Sequence, residues 1–148
     1  MTSTATTRPD LSGTRVAITG GAGFIGSALA ERLAADPSIE VVLFDNLHHD
    51  AVQGTPLLAK PNVTLVRGDV RDKAAVARAL EGAHHIVHMA SIAGVDTVMQ
   101  APVLTMQVSL QGTMHVLRDG GAMATTSARA ARLGGCKQIG RASCRERV

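Results

Sequence analysis

Short apolar runs alternate with longer segments whose apolar residues recur every three or four positions through the first two thirds of the chain. Arg15–Thr19 (RVAIT) is β-branched and lies between glycines, which predicts a buried strand. In residues 23–35 (GFIGSALAERLAA), Ile25, Leu29 and Leu33 mark one face of a helix that Asp36-Pro37 stops. Glu40–Asp45 (EVVLFD), Val63–Arg67 (VTLVR) and residues 84–89 (HHIVHM) predict three further strands. Helices are predicted over 72–80 and over 102–117, the second with Leu104, Val108, Gln111 and His115 toward one side. Strands alternating with helices imply parallel βαβ units, whose crossovers are long and nearly always right-handed. The expected fold class is α/β, a doubly wound parallel sheet truncated after about four strands, with no internal repeat.

The strongest chemical signal lies between the first strand and the first helix. Residues 19–26 read TGGAGFIG, with Gly20, Gly23 and Gly26 at three-residue spacing and Gly21-x-Gly23-x-x-Gly26 within it. A strand that turns sharply into a helix, lets backbone approach a pyrophosphate and packs that helix on the sheet needs glycine at such positions. The helix start then offers free N–H groups and a positive dipole end to phosphate. An isolated glycine triplet is equally compatible with an ordinary turn. Here it follows a strand, opens a helix and precedes a second strand ending in Asp45, where a carboxylate is expected to hold an adenosine ribose. A Rossmann-type dinucleotide site is the expectation. No Arg or Lys neighbours Asp45 in the sequence to receive a 2′-phosphate, so NAD is expected over NADP.

These segments occur in an order that resembles a known family. TGGAGFIG, Asp45-Asn46-Leu47, Gly68-Asp69-Val70-Arg71-Asp72 and His88-Met89-Ala90-Ser91 are similar in order and spacing to extended short-chain dehydrogenases/reductases, the NAD-dependent epimerase/dehydratase family. Ser109-Leu110-Gln111-Gly112-Thr113 resembles that family's Asn-x-x-Gly-Thr, with Ser109 in place of Asn. The resemblance covers roughly residues 13–117, the expected partial NAD-binding domain. It implies that Gly20, Gly23, Phe24, Ile25 and Gly26 line the pyrophosphate. It further implies that Asp45 and Asn46 hold the adenosine ribose, that Asp69 and Val70 flank the adenine, and that Met89, Ala90 and Ser91 pass beneath the nicotinamide ribose.

The same resemblance implies a Ser or Thr followed by Tyr-x-x-x-Lys for proton transfer, the lysine lowering the tyrosine pKa. The chain has no tyrosine. Thr125-Thr126-Ser127 follows Thr113 too soon to leave room for the intervening helix and strand, so no catalytic residue is assigned. Six histidines invite a metal reading, but His48-His49 and His84-His85 are adjacent pairs, which on a strand point to opposite faces, and no carboxylate or thiolate set accompanies them. No metal site is expected. Met99, Met106 and Met114 are expected to fill the core or a helix face.

Composition changes the picture mainly at the end of the chain. The sequence has 148 residues, 45% hydrophobic and 18% charged, which fits one globular domain. Its formal charge is +3, but residues 1–117 carry eight basic and ten acidic groups, whereas residues 118–148 carry seven and two. A nucleic-acid partner is therefore not expected of the domain. Cys136 and Cys144 also lie in the last stretch, so neither a disulfide framework nor a thiolate metal site is argued. Residues 1–12 read as a disordered lead-in without signal-peptide features, and no apolar run approaches the roughly 20 residues a membrane span needs. A cytoplasmic location without membrane contact is the expectation. Residues 118–138, rich in Ala, Gly, Arg and Thr, show no period and are expected to be a frame-shifted or non-native tract. Residues 139–148 (IGRASCRERV) resemble, residue for residue, the translation of a short-read sequencing adapter.

The expected function is the NAD-binding part of a nucleotide-sugar epimerase/dehydratase-like oxidoreductase acting by transient hydride transfer. The fragment is expected to be inactive, with the nucleotide sugar bound only by a full-length, homodimeric enzyme. Two alternatives stand beside it: a hydroxysteroid- or flavonoid-type reductase of the same superfamily, and a non-catalytic NAD(P)-sensing module. Fold alone does not separate them.

Overall fold

Each apolar run that predicts a strand forms one in the structure, a computed structural model that describes residues 10–120. The strands are β1 (Arg15–Thr19), β2 (Glu40–Asp45), β3 (Val63–Arg67) and β4 (His85–His88). They form one parallel sheet in the order β3-β2-β1-β4. Both faces are covered, which is why β1 and β2 are almost uniformly apolar rather than alternating. Helix α1 (Phe24–Leu33) packs on one face, where Val16, Ile18, Val41 and Leu43 meet Ala30, Ala34, Val52 and Leu57. Helix α2 (Lys73–Leu80) and helix α5 (Gly112–Gly120) cover the other, where Ala17, Val42 and Phe44 meet Val76, Ala79, Leu80 and Val116. Burying a Val, Leu, Ile or Phe side chain stabilises by about 1.5–3 kcal/mol, so these two layers fix where every strand ends.

The long helix predicted over 102–117 is corrected in detail. A short helix α3 (Val95–Gln100) precedes it, α4 (Pro102–Met106) begins with proline in its first turn, and a π-helical turn (Gln107–Gln111) joins α4 to α5. Helix α5 continues to Gly120, three residues past the predicted end. Met99, Met106 and Met114 lie on helices, but they are 75%, 55% and 65% exposed, so they do not fill a core. A short helix whose face no described element covers can carry methionine without burying it. The expected lead-in, except residues 10–12, lies outside the described residues. So do residues 121–138 of the expected frame-shifted tract and the whole 139–148 tail.

Candidate functional site

The carboxyl ends of β1, β2 and β4 converge on the glycine turn, and each glycine there has its own reason. Gly20 has φ +71°, and a Cβ on it would lie 2.7 Å from the Ala90 nitrogen and 2.8 Å from the Met89 carbonyl carbon. A Cβ on Gly21 would lie 2.8 Å from the Ile18 carbonyl oxygen and 2.9 Å from the Leu43 side chain. On Gly26 it would strike the Gly20 carbonyl oxygen and come within 2.8 Å of Gly21 Cα, so only glycine lets α1 sit this close to the turn. Gly23 differs. Among the described residues, only the Gly20 carbonyl oxygen would come within 4 Å of a Cβ there, at 3.3 Å. No side chain caps the start of α1, so its first-turn N–H groups face outward beside Gly23. Phe24 and Ile25 stand at this mouth 86% and 70% exposed. A tight turn, an open backbone face and a close helix contact are the three roles that glycines serve in a dinucleotide-binding turn.

Asp45 does more than end β2. Its Oδ2 accepts the Ala22 N–H at 3.0 Å, and its Oδ1 accepts the Leu47 N–H at 2.8 Å. The Ala22 carbonyl in turn accepts the Ala51 N–H at 2.8 Å. The glycine turn is thus gripped between the end of β2 and the loop after it, with Leu47 at φ +63°. Each carboxylate oxygen keeps a free lone pair, so Asp45 can still accept a hydroxyl from outside. Asn46 is exposed, and its Oδ1 accepts the His48 N–H at 3.0 Å in a local turn.

Beyond β4, Met89 and Ala90 pass directly against Gly20, with Ser91 following them and the Met89 N–H donating to the Thr19 carbonyl at 2.9 Å. Below them runs a polar chain that the sequence reading did not identify. Thr113 Oγ1 lies 2.5 Å from the Ser109 carbonyl oxygen, which can only accept, so the threonine proton is committed there. Thr113 must then accept from His88 Nε2, at 3.1 Å, which leaves His88 Nδ1 to accept the Thr19 hydroxyl at 2.5 Å. This direction of bonding requires the neutral Nε2–H imidazole. Burial also pushes the His88 pKa below its ordinary 6.5. Ser109, where the family usually has Asn, contributes its carbonyl within the π-helical turn.

Asp69 and Val70 sit at the far rim, after β3. Arg71 grips Asp69 through Nε, at 3.0 Å to each oxygen, and Nη2, at 2.5 Å to Oδ2. That hydrogen bonding holds the Asp69 carboxyl below the ordinary carboxylate range. Val70 turns its side chain into the core, where a Cβ on Gly112 would come within 2.8 Å of Val70 Cγ2, and its carbonyl accepts His115 Nδ1–H at 2.9 Å. Asp72 caps α2 by accepting the Ala74 and Ala75 N–H groups at 2.9 and 3.1 Å. A shallow recess of about 380 Å³ lies here, lined by Asp69, Arg71, Asp72, Gln107 and Gln111. Among the described residues, no three His, Cys, Asp or Glu side chains gather as a metal set, and no helix is long and apolar enough to cross a membrane.

A sequence profile described as the NAD dependent epimerase/dehydratase family matches residues 16–142. The chain belongs to this family. The chain is also 32% identical over 106 residues to dTDP-glucose 4,6-dehydratase of Streptomyces antibioticus, covering 68% of this chain and 31% of that protein. It is 33% identical over 119 residues to a 3-beta-hydroxysteroid dehydrogenase of Mycolicibacterium neoaurum, covering 78% and 30%. Among solved structures, a double mutant of dTDP-glucose 4,6-dehydratase from Streptomyces venezuelae, with NAD bound, aligns with a TM-score of 0.65 at 34% identity, over 74% of this chain and 36% of that one. The chain thus spans about a third of the length of the curated relatives it matches. The parallel sheet with helices on both faces is the Rossmann-type architecture of this epimerase/dehydratase family.

One neighbour of Asp45 escaped the sequence reading altogether. The parallel β2–β3 pairing puts Arg67 in register with Asp45. Both continue the face of the sheet that carries Val41, Leu43, Val63 and Leu65. The expectation that no basic residue neighbours Asp45 holds along the sequence and fails in space.

Proposed function

We propose that this chain is the NAD-binding portion of a nucleotide-sugar epimerase- or dehydratase-like oxidoreductase. The observation that carries the reading is the glycine turn, open at Gly23 and held in place by the Asp45 carboxylate. Gly20, Gly23, Phe24, Ile25 and Gly26 would hold the pyrophosphate, with the first N–H groups of α1 directed at it. Asp45 and Asn46 would take the ribose diol, Asp69 and the Val70 backbone the adenine edge, and Met89, Ala90 and Ser91 the nicotinamide ribose. NAD, when bound, supplies a site that takes a hydride from a substrate hydroxyl and returns it. The chain's residues position that cofactor. They do not provide the phenol that would move the hydroxyl proton, because the sequence contains no tyrosine.

In the longer enzyme the substrate would be a nucleotide sugar, bound by residues outside this chain. The likeness to the 3-beta-hydroxysteroid dehydrogenase favours one second reading, a reductase of hydroxysteroid type built on the same NAD-binding half. Isothermal titration of the 148-residue chain with NAD tests the shared core of both readings. Saturable binding that Gly26→Val abolishes is the expected result, and absence of binding would overturn it. The purified chain should not turn over a dTDP- or UDP-sugar. Loss of a positioned acid–base group alone costs about 10²–10⁴-fold in rate.

A further inference from the structure

Arg67 occupies a place that the dinucleotide reading leaves unexplained. It is the last residue of β3, exposed, in register with Asp45 and on the same face of the sheet. Adjacent strands lie about 4.8 Å apart, a distance that an arginine side chain exceeds. Arg71, the cation that follows β3 at this end of the sheet, is engaged by Asp69. No ion pair holds Arg67 among the described residues. Asp45 is fixed by the Ala22 and Leu47 N–H groups, so it cannot swing away from a ligand.

We infer that Arg67 is a specificity-determining residue at the ribose end of the site, and that it lets this chain accept a 2′-phosphorylated dinucleotide as well as NAD. The inference rests on the proposed dinucleotide reading and extends it to the choice of cofactor. A carboxylate beside the ribose favours a free 2′-hydroxyl and repels a 2′-phosphate. A guanidinium on the adjoining strand opposes that repulsion, because Arg meets phosphate through paired, charge-assisted N–H bonds. The residue that sets the balance therefore comes from β3, and the strand pairing, not the sequence around Asp45, supplies it.

The test is the ratio of the NADP to the NAD dissociation constant, read by isothermal titration for the 148-residue chain and its variants. Arg67→Gln should raise that ratio about tenfold, a loss of the size expected for one charge-assisted phosphate contact. Arg67→Lys should recover part of it, and Asp45→Asn should lower it. Arg32→Gln, in the last turn of α1 at the opposite end of the sheet, removes the same charge and controls for net charge. A ratio that Arg67→Gln moves no more than Arg32→Gln does would overturn this inference alone. Binding of neither dinucleotide would overturn the dinucleotide reading and this inference with it.

Discussion

The Thr19 hydroxyl, 2.5 Å from His88 Nδ1, ties together the ends of two neighbouring strands that are 69 residues apart in the chain. Thr19 is fully buried at the point where β1 gives way to the glycine turn, and His88 passes the connection on to Thr113 of α5. Thr19→Val keeps the shape and removes the donor, leaving the imidazole nitrogen unpaired inside the protein. Such a loss costs about 1–3 kcal/mol. Thr19→Ser keeps the hydroxyl and should cost clearly less. Urea unfolding of the three proteins checks this, and equal losses in both variants would mean that the hydrogen bond is not the cause.

The same histidine makes stability depend on pH. Its pKa in the folded chain lies below the ordinary 6.5 because burial disfavours the imidazolium. Between 6.5 and that lower value, the unfolded chain binds a proton that the folded chain refuses. Stability therefore falls as pH drops through this window and levels off below the folded pKa. Protonation would also put a proton on Nδ1, opposite the Thr19 hydroxyl that now donates to it. The unfolding midpoint should drop from pH 7.5 toward pH 5, and by a smaller amount in His88→Gln. An identical drop in the variant would assign the effect to other groups.

The glycines of the turn should not be equally sensitive. Gly26→Ala presses a methyl group into the Gly20 carbonyl and Gly21 Cα, which are backbone atoms that cannot yield without opening the turn. Overpacking of this kind costs about 1–3 kcal/mol. It should also push α1 away from the pyrophosphate position and abolish NAD binding. Gly23→Ala meets only the Gly20 carbonyl, at 3.3 Å, so its fold should survive nearly intact. Its added methyl group stands on the open side where a phosphate would approach, so affinity should still fall. Thermal melts and titrations together separate the two variants, and a Gly23→Ala protein binding NAD like the parent would remove Gly23 from the site.

The strands were legible because a parallel sheet buried on both faces demands continuous apolar runs, and RVAIT and EVVLFD have no other use for theirs. The turn was legible because its three glycines answer three separate backbone requirements within seven residues. Arg67 opposite Asp45 was not, since that strand register depends on β2 choosing β3 as its outer neighbour, a decision of the whole sheet. The Ala22–Asp45 bond was hidden for a related reason: alanine has no polar side chain, and only its backbone takes part. The helix VDTVMQ was missed because six residues are too few to show a period, and the π-helical turn because it continues the helical path around the chain. The methionines sit on helix faces, one of the two places expected of them, and excluding the core required knowing which face the described fold leaves uncovered.

That uncovered face carries the last prediction. Val103, Met106, Leu110, Met114 and Leu117 are 70%, 55%, 57%, 65% and 48% exposed, and they follow one another along α4, the π-helical turn and α5. With Pro102, four of them line an apolar trough of about 470 Å³, whose polar neighbours among the described residues are Gln107 and Gln111. Water-exposed apolar surface of this kind is rarely left bare on a monomer. β4 adds a second hazard, because among the described strands it is an edge with one side unpaired. The 148-residue chain should therefore associate as its concentration rises, and sedimentation velocity should show its mean mass growing. Leu110→Glu with Met114→Lys places opposite charges one helical turn apart in the trough, where neither side chain is now buried. The double variant should stay monomeric at concentrations where the parent does not, with NAD affinity unchanged because the glycine turn and Asp45 lie elsewhere. A parent chain that remains monomeric throughout would contradict the prediction, and a variant that associates as the parent does would move the cause to the β4 edge.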